Sequence, residues 1–287
     1  MKILVLGCGS IGTRRAKILA KMGHEIWCQD ADIHMAVALT KGLNGHVYEG
    51  WQAVPFGAAV ICTPPDSGRS EQIERCLGLG VKGLFVEKPL ELAVSDIDEI
   101  LRSISGIGLV TTMGACNLRF AGGVTGLRKI PKPWRLARFR MGQAAKFWSP
   151  THKPISLILD SIHELDLAVY LNGPIESIRG YSELNHAEVS VHHADGGLSH
   201  LLLDRVTDPP VREVHVYRAH GDYDSLRLDT RGDGMYEREL AHFIGCVEAG
   251  MQTINPLSAA VKVCARALEI VPPMDAPPPE VKYGLSV

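Results

Sequence analysis

Asp160, His163 and Asp166 stand three residues apart each, in the segment Asp160-Ser161-Ile162-His163-Glu164-Leu165-Asp166. On a helix that spacing places them on one face. A histidine flanked by carboxylates exchanges a proton near neutral pH, and a carboxylate on one ring nitrogen selects the tautomer. Asp160 therefore either orients and tunes His163, or it caps or pairs locally and His163 is a satisfied interface histidine. Glu164 reads as a surface or domain-contact carboxylate. Lys88 is the second candidate, in Glu87-Lys88-Pro89 after the apolar run Leu84-Phe85-Val86. Proline sets the backbone there, but nothing about a loop requires the two charges; the plain alternative is a surface ion pair.

Gly7-Cys8-Gly9-Ser10-Ile11-Gly12 lies between a strand ending at Leu6 and a helix starting near Ser10. The first glycine permits a tight turn, the second lets backbone amides approach a pyrophosphate, and the third allows close helix packing. The helix N-terminus adds free amides and a partial positive charge. Asp30, eighteen residues beyond Gly12, stands where a carboxylate accepts ribose hydroxyls. It would repel a 2'-phosphate, so NAD is expected over NADP; Asp32 takes this role if the strand runs two residues longer. Arg14 and Arg15 either approach cofactor phosphates or are solvated helix residues. Cys8, near a helix N-terminus, is where a thiol pKa falls.

These groups need elements to hold them. Short apolar runs at Ile3 to Leu6, Glu25 to Gln29, Ala58 to Cys62, Gly83 to Val86 and Gly108 to Thr112 alternate with segments of helical spacing. Near-continuous apolar strands separated by helices imply a parallel sheet covered on both faces. The loops Cys62-Thr63-Pro64-Pro65-Asp66 and Glu87-Lys88-Pro89 then sit at carboxyl ends of strands, where open sheets of this kind bind ligands. After Ala115 a helix is predicted from Leu157 to Leu171. Period-two strands follow at Ile175 to Glu183, Ala187 to His193, Leu198 to Val206, Val211 to Arg218 and Ser225 to Thr230, making an antiparallel sheet. Leu201, Leu203, Val214 and Val216 then need a partner surface, which predicts a homodimer or homotetramer packed through this sheet. Two helices are expected near Tyr236 to Glu248 and Ser258 to Ile270, before a proline-rich tail from Pro272 to Pro279. The fold class is α/β, with domains at 1–114 and 115–287.

Composition removes several alternatives. Thirty basic against 32 acidic residues give a net charge of -2, and no dense basic run suits nucleic acid or an anionic membrane. The apolar N-terminal run is too short for a secretory signal or membrane span, so the cytoplasm is expected. Seven scattered cysteines without a CxxC pair indicate neither a disulfide framework nor a zinc site. His192, His193 and His200 make a poor metal site, because adjacent strand residues point to opposite faces.

Gly7 to Gly12, Thr63-Pro64, Glu87-Lys88-Pro89, Asn117-Leu118-Arg119-Phe120 and Asp160 to Asp166 together resemble the glucose-fructose oxidoreductase, inositol dehydrogenase and MocA family, over nearly the whole chain. The resemblance implies a Rossmann domain followed by an α+β domain on an open, mostly antiparallel sheet that often makes the oligomer contact. It implies hydride transfer between a nicotinamide and a hydroxyl or keto carbon of a sugar, nucleotide-sugar or cyclitol. It also implies that Lys88 and His163 face the reacting carbon, with Asp160 assisting. The candidate cofactor contacts are Gly7, Cys8, Gly9, Ser10, Ile11, Gly12, Asp30, Thr63, Pro64, Glu87 and Lys88; the candidate substrate contacts are Asn117, Arg119 and Trp148. Ser67-Gly68-Arg69 replaces the histidine common after the threonine-proline loop. The Asp160 to His163 spacing is similar to a branch found with surface-polysaccharide and nucleotide-sugar pathways, yet the segment 149–156 is shorter than in that branch. An NAD-binding sensor without turnover and an NAD-retaining glycosidase are the rival functions.

Overall fold

The five apolar runs of the first third form parallel strands, joined by a short sixth at His46–Val47 that was not among the predicted ones: β1 (Lys2–Leu6), β2 (Glu25–Gln29), β3 (His46–Val47), β4 (Ala58–Ile61), β5 (Gly83–Val86) and β6 (Thr111–Gly114). Their order is β3-β2-β1-β4-β5-β6. The chain winds outward from β1 in one direction and resumes at β4 in the other, which leaves a crevice at the carboxyl ends of β1 and β4. Four helices lie between the strands: α1 (Ser10–Lys21), α2 (Ile33–Leu43), α3 (Arg69–Gly78) and α4 (Val94–Ile104). β6 begins three residues later than the predicted Gly108, because Gly108 adopts a positive φ of 60° and Leu109 is 97% exposed. That conformation belongs to a turn.

The computed structural model describes residues 1–271 apart from 51, 91, 106–107, 131–133, 145, 147–154, 219–221 and 229–233. Trp148, most of the short segment 149–156 and the proline-rich tail lie outside the described residues.

A 3-10 turn at Asn117–Phe120 and α5 (Val124–Arg128) lead into the second sheet. Its strands are β7 (Trp134–Gly142), β8 (Ile175–Ser182), β9 (His186–His193), β10 (Leu198–Asp204), β11 (Val211–Arg218) and β12 (Tyr223–Arg227), in the order β12-β11-β7-β10-β9-β8. All neighbours are antiparallel except β7 and β10. β7, a central strand, was not among the predicted ones. Its alternation is plain in retrospect: Ala137, Phe139 and Met141 are buried while Arg138 and Arg140 are exposed.

The predicted helix from Leu157 to Leu171 is two helices, α6 (Leu157–Asp160) and α7 (Ile162–Asn172), broken at Ser161. They pack on the inner face of the second sheet against β7, β9 and β10. This corrects the argument for a partner surface: Leu201, Leu203, Val214 and Val216 are all at most 1% exposed within the single chain. The outer face instead carries polar side chains such as Arg138, Arg140, Glu188, His200 and His215.

The last helices, α8 (Met235–Ala249) and α9 (Leu257–Leu268), return to the first sheet. α8 packs on α1, β5 and β6, and α9 on α4, β6 and α7. Phe243 of α8 meets Phe85 of β5 edge-on with centroids 5.4 Å apart. Among the described residues, no helix is long and apolar enough to cross a membrane.

Candidate active site

The glycine loop has the shape that its residues predict. Gly7 has φ 86°, and a Cβ there would meet the Cys62 and Thr63 backbone at 2.8 Å. A Cβ on Gly12 would lie 1.8 Å from the Gly7 carbonyl oxygen, so α1 can approach the loop only with glycine there. Gly9 differs: nothing lies within 4 Å of its would-be Cβ. It is the N-cap of α1, with no side-chain capping bond and no acidic residue in the first turn. The helix therefore presents uncapped amides to open space beside Gly9, which suits a pyrophosphate. These residues fit a dinucleotide. Gly12→Ala is expected to destabilise the fold by about 3 kcal/mol or more through overpacking. Gly9→Ala is expected to leave thermal stability unchanged while weakening NAD binding at least tenfold. Thermal unfolding and titration calorimetry on the two variants check both outcomes.

Asp30 stands at the carboxyl end of β2, half-buried. Its Oδ2 accepts the Cys8 N–H at 2.6 Å and its Oδ1 the Asp32 N–H at 2.9 Å. The Cys8 amide is thus spent on holding the loop. Asp32 is occupied as the N-cap of α2, accepting the His34 N–H at 2.9 Å. The Cys8 thiol is buried, and its pKa is lowered by a hydrogen bond with the Cys28 thiol.

Arg15 is 1% exposed and does not reach the phosphate side. It pairs with Glu87 and donates from Nη1 to Glu239 Oε2 at 2.8 Å, with its guanidinium 4.3 Å above the Phe85 ring. Glu239 Oε1 accepts the Cys116 N–H at 2.8 Å. Glu87, a candidate cofactor contact, is thereby a buried partner of Arg15; its Oε2 also accepts the Lys88 N–H at 3.2 Å. Arg14 stacks on Tyr236, 4.7 Å from the ring. Arg69, at the position read as a lost cofactor contact, is buried and donates to the carbonyls of Glu87, Pro89 and Thr63. It ties the Thr63-Pro64 loop to the Glu87-Lys88-Pro89 loop. Arg69 and Glu239 were missed because single arginines and glutamates in helices carry no signal of what they will meet.

Lys88 is half-buried and its ammonium donates to the Asp160 carbonyl at 2.8 Å. No carboxylate partners it among the described residues. His163 is placed on the first turn of α7, with its Nδ1 buried and without a hydrogen-bond partner. The expected flanking carboxylates are engaged elsewhere. Asp160 pairs with the buried Arg205, and Asp166 accepts from Arg119 Nε and Nη2 at 2.6 Å each. The break at Ser161 is the reason: it turns Asp160 off the α7 face. Asp160 thus bears on the site through its backbone carbonyl under Lys88, and it does not orient the histidine. Burial is the largest cause pushing the His163 pKa well below the ordinary range, and the nearby cations Lys88, Arg212 and Arg15 push the same way. This shift favours the neutral imidazole, the form able to accept a proton.

Arg119 is 7% exposed, and its Nη1 donates to the Ile254 carbonyl at 2.6 Å. With its donors spent on Asp166 and Ile254, it is a buttress of the core and not a free substrate contact. Asn117 is 3% exposed with Oδ1 unpartnered. Glu164, expected at a surface or a domain contact, is 2% exposed and lies against Arg212. His193 is buried between the Gly173 carbonyl and Ser199 Oγ, while its neighbour His192 faces out.

A parallel sheet of this order with its glycine loop and offset aspartate is a dinucleotide fold, and the chain matches the oxidoreductase family with an NAD-binding Rossmann fold, Gfo/Idh/MocA. That match covers residues 1–114. Among solved structures it is similar to UDP-N-acetylglucosamine 3-dehydrogenase GnnA from Acidithiobacillus ferrooxidans, at 20% identity and TM-score 0.79, covering 94% of this chain and 96% of that one. A myo-inositol dehydrogenase from Corynebacterium glutamicum aligns at 16% identity and TM-score 0.81, covering 93% and 94%. An oxidoreductase from Agrobacterium radiobacter, in complex with NAD+, L-tartaric acid and magnesium, aligns at 17% and 0.77, covering 93% and 94%. At these identities the likeness is one of fold, and it covers both sheets. No curated protein matches the sequence.

Proposed function

We propose that this protein is an NAD-dependent oxidoreductase acting on a hydroxyl or keto carbon of a sugar, nucleotide-sugar or cyclitol-like substrate. The observation that supports this reading is the Lys88 ammonium, from the loop after β5, donating to the Asp160 carbonyl at 2.8 Å, three residues before His163 in the second domain. Bound NAD would supply the hydride acceptor. Lys88, anchored on the Asp160 carbonyl, keeps further N–H donors for the reacting oxygen. His163 enters the reaction neutral and takes the hydroxyl proton. The folds most similar to this one include proteins named for a nucleotide sugar and for myo-inositol, which supports a polyhydroxylated substrate. Screening sugars, cyclitols and nucleotide sugars for a change in nicotinamide absorbance tests the reading. NAD binding without turnover on any of them would favour a sensor, and glycoside cleavage without net cofactor reduction a glycosidase.

Asp30 is the ribose carboxylate in this scheme, since Asp32 is committed to capping α2. NAD is expected to bind at least tenfold more tightly than NADP, because the 2'-phosphate would meet the Asp30 carboxylate. Calorimetry with both dinucleotides decides it, and tighter NADP binding would overturn the assignment. We place the protein in the cytoplasm, consistent with its seven free cysteines. Self-association, if through the second sheet, uses its polar outer face.

A further inference from the structure

Five arginines surround the Lys88 and His163 site, and four have their donors committed. Arg15 serves Glu87 and Glu239, Arg119 serves Asp166 and the Ile254 carbonyl, Arg205 serves Asp160 and the Leu184 and Ile155 carbonyls, and Arg69 serves three carbonyls. Arg212 is different. Its Nε lies 2.6 Å from Glu164 Oε1, while Nη1 and Nη2 donate to no described residue and the side chain keeps 22% exposure.

Glu164 is the residue after His163, so the arginine it holds is carried on the inner face of the second sheet beside the histidine. Arg212 and Lys88 both lie near enough to His163 to oppose its protonation. A carboxylate buried at 3% side-chain exposure is costly unless it holds a cation. Here Glu164 Oε1 lies 2.6 Å from the guanidinium Nε as an ion pair, while the Nη1 and Nη2 groups donate to no described residue. The fork they form matches two oxygens of an oxyanion.

We propose that Arg212 is a specificity-determining residue that binds an anionic group of the substrate, with Glu164 as the positioning residue that aims it. The substrate is then an acidic or phosphorylated polyhydroxy compound. This rests on the oxidoreductase reading for the nature of the site. The recognition itself is read by binding. The shared chemistry is a multi-oxygen anion, supplied by a carboxylate or by a phosphoryl group.

The test is titration calorimetry on the NAD-loaded full chain with D-gluconate, D-glucose 6-phosphate and the neutral D-glucitol. At least one anion is expected to bind ten times or more tightly than glucitol, and which one does identifies the group. Arg212→Gln should weaken that anion by about 10- to 100-fold, the size of a lost charge-assisted hydrogen-bond pair, and leave glucitol and NAD binding unchanged. Because Arg212→Gln strands Glu164, the double variant Arg212→Gln/Glu164→Gln repeats the measurement with the pair removed together. The proposal is overturned if neither anion outbinds glucitol, or if the variants weaken anion and glucitol alike. Turnover of a neutral sugar by a protein in which neither anion outbinds glucitol would sink this inference and keep the oxidoreductase. Arg212-dependent anion binding with no turnover of any polyol would do the reverse.

Discussion

Replacing His163 with alanine is expected to lower turnover by roughly two to four orders of magnitude, the usual contribution of a positioned proton acceptor, with NAD affinity nearly unchanged. The imidazole has a buried, unpartnered Nδ1 and takes no part in the hydrogen bonds that hold the glycine loop, so its removal is expected to touch the proton step and not the dinucleotide cradle. Lys88→Ala should cost at least as much, since an ammonium anchored at 2.8 Å on the Asp160 carbonyl is already oriented to stabilise charge on the reacting oxygen. The pH dependence has a defined sign. Burial and three cations depress the His163 pKa, so the histidine stays neutral, and a competent base, below its ordinary 6.5. In the oxidation direction the acid limb of kcat/KM is therefore expected below that value, and it should disappear in His163→Gln. Steady-state kinetics across pH 5 to 9 measures all three. A His163→Ala enzyme with full turnover would remove the mechanism.

The second large effect concerns Arg15. Replacing it with methionine leaves Glu87 and Glu239 buried against Phe85 and Tyr236 with their shared cation gone. The expected loss is about 3–5 kcal/mol of unfolding free energy, the size seen when one partner of a buried ion network is removed. Burial already raises the Glu239 pKa in the intact protein, and in the variant nothing offsets it. A carboxyl whose folded pKa exceeds its unfolded one loses stability as pH rises through that range. The deficit should therefore be larger at pH 8 than at pH 5. Arg15→Met/Glu239→Gln should recover part of it, because a neutral amide can still accept the Cys116 N–H. Urea unfolding of the two variants at both pH values gives the comparison; a deficit independent of pH would mean that the glutamates are not the source.

The same network shows why the glycine loop and the Lys88 loop act together. Arg15 belongs to the helix that starts at Gly9, and Glu87 is adjacent to Lys88. Their pairing, closed by Glu239 from α8, ties the glycine-loop helix to the Lys88 loop through a desolvated contact that is stronger for being dry.

What the sequence by itself determined is what local pattern encodes. Five of the six parallel strands follow from apolar runs between helical segments, the glycine loop from the spacing of Gly7, Gly9 and Gly12 between strand and helix, and the five later strands from period-two alternation. Lys88 and His163 stood out as candidates because charged and titratable types stand at a strand end and on a predicted helix, and the family resemblance supplied the role proposed for them. The alternation of β7 was equally legible and was passed over. What only the tertiary structure decided is which charge meets which. Asp160, His163 and Asp166 have helical spacing, yet the break at Ser161 and the arrival of Arg205 and Arg119 from other parts of the chain take both carboxylates away from the histidine. Glu87 and Arg15 are separated by 72 positions, and Leu201 and Val214 lose their need for a partner only once α6 and α7 fold over them. Spacing constrains neighbours one turn or one strand apart, whereas ion pairs and burial depend on long-range packing, in which any arginine can serve any carboxylate until the core excludes water around one choice.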